Sequence, residues 1–138
     1  MTPTPAPDPE AARNHVFHCR QYMDNALEAL EKNEPGKAGE MLWGSITQAV
    51  HAVDAWRGPV IVRHRGLLNF TRNLGVEIDD ENFPNNFLSA KSLHDNFYHP
   101  DLEVADVEVA LPGIQRAISQ VLALLPEDVR NGRVGIKI

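Results

Sequence analysis

Between positions 57 and 74 the chain carries Arg57, Arg63, His64, Arg65 and Arg72 without a single Asp or Glu, although its net charge is −6. Guanidinium groups grip phosphate oxygens as two-pronged forks, so such a stretch can hold a nucleotide or an RNA backbone. The competing reading is a solvated loop neutralised by the acids that follow, Glu77, Asp79, Asp80 and Glu81. A second group, Lys91, His94 and His99, supplies titratable side chains late in the chain. Histidine changes charge near neutral pH and can give or take a proton, which makes His94 and His99 candidates for acid or base work.

A third group is His15, His18 and Cys19, spaced so that one helical face presents all three as possible ligands to zinc or a similar metal. The reading preferred here is that Cys19 belongs to the core and the histidines flank it. The sequence contains no Glu-x-x-His pair, which argues against a di-metal bundle, and no cofactor is expected.

These side chains ride on elements that the apolar pattern predicts to be helices. Pro3, Pro5, Pro7 and Pro9 alternate with other residues, which favours an extended, disordered leader over residues 1–8. Asp8 then caps a helix with Pro9 in its first turn and apolar positions at Val16, Cys19, Met23, Ala26, Leu27 and Leu30. After Asn33-Glu34-Pro35-Gly36 a second helix runs to Trp56, apolar on much of its circumference and therefore expected to be central. Arg57-Gly58-Pro59 ends it. A third helix spans about His64 to Leu74 and is expected to close at Gly75. Asn82-Phe83-Pro84 opens a fourth that continues to about Tyr98, and His99-Pro100-Asp101 forms a corner. The last helix steps through Val104, Val107, Leu111, Ile114, Ile118, Val121 and Leu125, with a kink expected at Pro112. Residues 127–138 read as an irregular tail. No alternating strand pattern appears, so the expected fold is all-α, an up-and-down antiparallel bundle of four to five helices in one domain over residues 9–126.

Composition narrows the function classes. With 138 residues, 43% hydrophobic and 23% charged, the chain suits one globular domain. No apolar run nears the ~20 residues of a membrane span, and the first residues lack the basic start and apolar stretch of a secretory signal. A single cysteine, Cys19, excludes an internal disulfide and fits a reducing compartment, so a cytoplasmic protein is expected. The acidic balance opposes non-specific coating of nucleic acid, leaving local cationic patches as the means of contact.

Two segments carry a resemblance: Met41-Leu42-Trp43-Gly44-Ser45-Ile46-Thr47-Gln48-Ala49-Val50-His51-Ala52-Val53, and Ser92-Leu93-His94-Asp95-Asn96-Phe97-Tyr98. Together, over roughly Ala11 to Leu124, they resemble the archaeal repeat-encoded branch of the HEPN superfamily. The resemblance implies a helical bundle that often dimerises. The superfamily's ribonuclease members carry an Arg, four to six residues, and a His, commonly with a Tyr two residues on. Aligning Tyr98 with that Tyr places Asn96 at the His and Lys91 at the Arg. Asn does not titrate near neutral pH, so a catalytically degenerate member is expected. It would bind RNA, a nucleotide or a protein partner through Arg57, Arg63, His64, Arg65 and Arg72 with Asn96 and Tyr98. Two alternatives stand beside it: a metal-independent ribonuclease that uses His94 or His99 with Lys91, and a plain protein-interaction bundle. Trp43, Trp56, Phe87 and Phe97 read as core, while Leu93, Phe97 and Tyr98 are a candidate homodimer face.

Overall fold

The computed structural model describes residues 5–61, 64–96 and 99–131, with His64 described by its backbone alone. Among the described residues six helices follow one another: α1 (Pro9–Glu31), α2 (Pro35–Arg57), α3 (His64–Ile78), α4 (Phe83–Asp95), α5 (Val104–Leu122) and α6 (Glu127–Arg130). There is no strand among the described residues, and the fold is an all-α bundle. Local chemistry sets the helix starts. The Asp8 carboxylate accepts the Ala11 N–H at 3.0 Å, with Pro9 at the first position, where its missing donor costs nothing. Pro35 opens α2 for the same reason, so the turn between the first two helices is shorter than the sequence suggests and rests on Asn33 in the left-handed region (φ 58°). At α5 the Glu103 N–H donates to the Asp106 carboxylate at 2.9 Å, closing a reciprocal cap.

α2 is the central helix. It packs against α1, α3, α4 and α5, and buries Leu42, Ile46, Ala49, Val50 and Val53 completely. Val16 of α1, Phe83 of α4, and Val107, Ile114 and Val121 of α5 close the same core. Small residues let α2 and α4 meet closely: a Cβ on Gly39 would stand 3.1 Å from the Leu93 Cβ.

Several elements depart from what the sequence leads one to expect. α3 does not stop at Gly75 but runs to Ile78 and turns at Asp79 (φ 55°). Gly75 serves packing instead, since a side chain there would lie 3.4 Å from the Phe83 ring. α4 ends at Asp95, before the expected end at Tyr98. As the apolar stepping predicts, α5 continues through Pro112 as one helix, and both Pro112 and Glu108, whose carbonyl loses its partner, face solvent. In the stretch read as an irregular tail, Val129 is fully buried on the helical turn α6, and the Arg20 guanidinium donates to the Arg130 carbonyl at 2.6 Å. At the other end of the chain, the Asp8 N–H donates to the Ala55 carbonyl at 2.8 Å, and Pro5 lies over Gly58, whose φ of 105° excludes a Cβ.

Candidate functional site

The cationic stretch is divided by its partners. Arg57, at the end of α2, forks onto Glu77 of α3 with two hydrogen bonds of 2.7 Å. The shared bonds raise the guanidinium's pKa and lower that of the carboxylate, so Arg57 is a structural clamp between two helices. The connector that follows is held from below: Asp54, 3% exposed, accepts the N–H groups of Val60 at 2.9 Å and Ile61 at 3.2 Å. Arg63 lies outside the described residues, as does the side chain of His64. Arg65 stands exposed on the first turn of α3, a turn without an acid. Arg72, two turns on along the same face, is also exposed and donates to the neutral Asn69 amide oxygen at 3.3 Å. Among the described residues neither Arg65 nor Arg72 forms an ion pair.

On α4 the candidate proton-transfer residues do not share one site. The Asn96 amide donates to the Ser92 carbonyl at 2.8 Å and so closes the end of its own helix. Lys91 is paired with Asp95 at 2.8 Å. His99 accepts the Asp101 N–H on Nδ1 at 3.2 Å in the corner after the helix. Tyr98 and Phe97 lie outside the described residues. Leu93 of the candidate dimer face is turned inward against Gly39 and is 7% exposed, which removes it from any surface contact.

His94 has partners that its own segment does not announce. Its Nδ1 stands 2.7 Å from a Glu40 carboxylate oxygen, and its ring stacks on Trp43 with centroids 5.3 Å apart. Both partners belong to α2. Trp43 is only partly buried and also touches Phe87, so it forms the outer edge of the core. Glu40 and Trp43, spaced three apart, lie one turn apart on one face of α2. That spacing was visible, but its relation to His94 depends on how α4 crosses α2. The arrangement fixes the imidazole and leaves Nε2 as the nitrogen not bound to Glu40.

The possible metal group does not converge. Cys19 is buried with its Sγ 3.5 Å from the Ser45 hydroxyl, and burial pushes its thiol pKa up. His15 bonds to the Gln48 side chain at 2.7 Å and stacks on His51, while His18 is exposed beside Phe17. Burial first, and the neighbouring His15 second, lower the pKa of His51. Among the described residues no group of three His, Cys, Asp or Glu side chains can hold a metal ion.

One concavity was not anticipated. Between α3 and α4 a groove of about 520 Å³ is lined by Leu68, Val76, Phe83, Phe87 and Leu88, with Arg72 and Lys91 on its rim and Asp79, Asp80 and Glu81 by the turn that closes it. The α3 positions alone, 68, 72, 76 and 79, follow the helical period and could have revealed this face. No helix among the described residues is long and apolar enough to cross a membrane.

A model of the archaeal PaREP1/PaREP8 family matches residues 14–118, more than half of the chain. Neither the curated proteins nor the solved structures contain a match.

Proposed function

The chain belongs to the archaeal PaREP1/PaREP8 family, and on that premise we propose that it is a catalytically degenerate HEPN-like bundle that binds RNA by its phosphates at the start of α3. The observation that carries this reading is the state of Arg65 and Arg72. Both are exposed on one face of α3, and neither is neutralised by a carboxylate among the described residues. Arg63 and His64 precede them in the sequence, and the unpaired N–H groups of a helix's first turn add partial positive charge there. Arg57 drops out of the contact set because Glu77 already holds it. Degeneracy is supported by Asn96, whose amide is committed to the Ser92 carbonyl in the place where a proton-transferring His is expected.

The test is binding of a short single-stranded RNA at two salt concentrations, comparing the native chain with Arg63→Ala/Arg65→Ala. The expected result is salt-sensitive binding whose dependence on salt falls by roughly 1.4 log units per log unit in the double variant, as two phosphate contacts are lost. Equal binding by both proteins, or none by either, overturns the proposal.

One observation favours a ribonuclease as the second reading: Glu40 holds His94 in a fixed orientation at 2.7 Å. Cleavage of the same RNA by the native chain and its loss in His94→Ala would establish that reading, while Lys91 and His99 are already engaged by Asp95 and Asp101.

A further inference from the structure

The α3–α4 groove has a property that no single ligand explains: its charge runs in opposite senses toward its two ends. Arg72 lies two turns before Asp79 along α3, and Asp79 and Glu81 lie at the turn into α4, all lining the groove. Between them lies an apolar strip in which Val76 is 78% exposed and Leu88 is 54% exposed. These side chains stand next to one another on adjoining helices and line one groove, unlike the exposed Val109, which protrudes from α5. α3 itself meets α2, α4 and α5 through a narrower seam than any other long helix in the bundle, so its groove-side face is left without a covering element.

We propose that a second copy of this chain covers the groove, with the two α3 helices crossing antiparallel on a two-fold axis that passes between Gly75 and Val76. The argument is one of self-complementarity. A two-fold interface brings each residue's surface against the same patch of the other protomer, so the patch must match its own rotated image. An axis between positions 75 and 76 carries position 72 onto position 79. Arg72 of one protomer then meets Asp79 of the partner subunit, and the reverse pair forms on the other side of the axis, each about 5 Å along the helix from the centre at 1.5 Å per residue. Val76 and Leu88 of both copies fill the middle, where burial of apolar area provides the main driving force. Glu81 adds to the anionic end, whereas Lys91 is already paired with Asp95, and the parallel arrangement would place Arg72 against Arg72 and Asp79 against Asp79, which disfavours it.

The charges needed are available. Arg72 has only the neutral Asn69 as a partner, and Asp79 and Glu81 are exposed and outside every described ion pair. Asp80, by contrast, is taken by Arg116 and Gln120 of α5 and contributes no contact across the axis. The interface leaves the first turn of α3 free but takes Arg72, so it goes beyond the RNA reading without depending on it, and in the dimer the phosphate contact falls to Arg65 and the residues before it.

Sedimentation equilibrium on the full chain tests the proposal. The expected mass is twice the 15.4 kDa of the chain at micromolar concentration. Val76→Glu changes an exposed position, so its helicity by circular dichroism stays native, and the dimer's dissociation constant should rise at least about 30-fold, as for loss of a central interface contact. Arg72→Glu and Asp79→Lys should each be monomeric alone, because each places two like-charge pairs across the axis. Mixed in equal amounts they should form a heterodimer, since Glu at 72 then faces Lys at 79 and the remaining Arg72 faces the remaining Asp79. A monomeric native chain overturns the proposal, as does a dimer that survives Val76→Glu or two charge variants that fail to associate on mixing.

Discussion

Asp54 and Asp80 are both carboxylates that terminate chain segments, yet they stabilise the protein in different ways. Asp54 is buried and accepts two backbone N–H groups from the connector after α2. Removing it leaves two donors without their partner beneath the connector. Asp54→Ala should therefore lower unfolding free energy by about 1.5–3 kcal/mol, the range for hydrogen bonds to a charged group, read from urea denaturation. Asp80 reveals itself through pH. The Asn82 N–H first, then the Gln120 amide and the Arg116 guanidinium, lower its pKa from 3.8 to about 2. Because the folded value lies below the unfolded one, the unfolded chain binds the proton first on acidification. The stabilisation is complete above about pH 4 and disappears as pH falls toward 2. Asp80→Asn should show a smaller acid-induced drop in urea midpoint across that window, so the difference between native and variant should narrow at its lower end. A difference that stays constant with pH would assign the role of Asp80 to shape alone.

Between elements, α2 and α4 approach closely at Gly39 and Leu93, one residue from the Glu40–His94 contact. Gly39 would be an odd choice in a helix interior on propensity alone, where glycine costs about 1 kcal/mol relative to alanine. The 3.1 Å distance that a Cβ would have to Leu93 explains it. Gly39→Val should destabilise the bundle by about 1–3 kcal/mol through overpacking. In a Leu93→Gly background, which removes the Cβ that the new side chain would meet, part of that penalty should vanish, giving a coupling of at least about 0.5 kcal/mol in a double-mutant cycle. Sequence reasoning reaches such helices but not their contacts. The apolar periodicity that locates α1, α2 and α5 reports which face of each helix is buried, and the Asp8 cap reports where α1 begins. It does not report which residue of another helix fills the space. Hence Gly75 reads as a terminator when it is a packing position beside Phe83, and Leu93 reads as a possible surface residue when it lies against Gly39. The cationic stretch was legible as a composition anomaly, but the loss of Arg57 to Glu77 was not, because the two are brought together only by the fold of α3 onto α2.

At the scale of the whole molecule, one continuous core joins the helices from Ala12 to Val129, with α2 as the element that most of the others share. A chain built around one helix has no natural line along which half could unfold while the other half persists, since separating α4 and α5 from α1 would strip α2 on one side. Its unfolding should therefore be a single cooperative event, as is usual for domains of this size. Leu42 of that helix has no exposure at all, so Leu42→Ala should cost about 2–5 kcal/mol through lost burial and the cavity left behind. Two probes read the outcome at different places: far-UV circular dichroism follows all helices, and tryptophan fluorescence follows Trp43, toward the middle of α2, and Trp56, at its C-terminal end. In native chain and variant alike the two urea transitions should coincide, and the substitution should shift both midpoints equally with little change in slope. Transitions that separate in the variant would mean that α2 does not bind the two sides into one unit, and the shared-core account of the bundle would then fail.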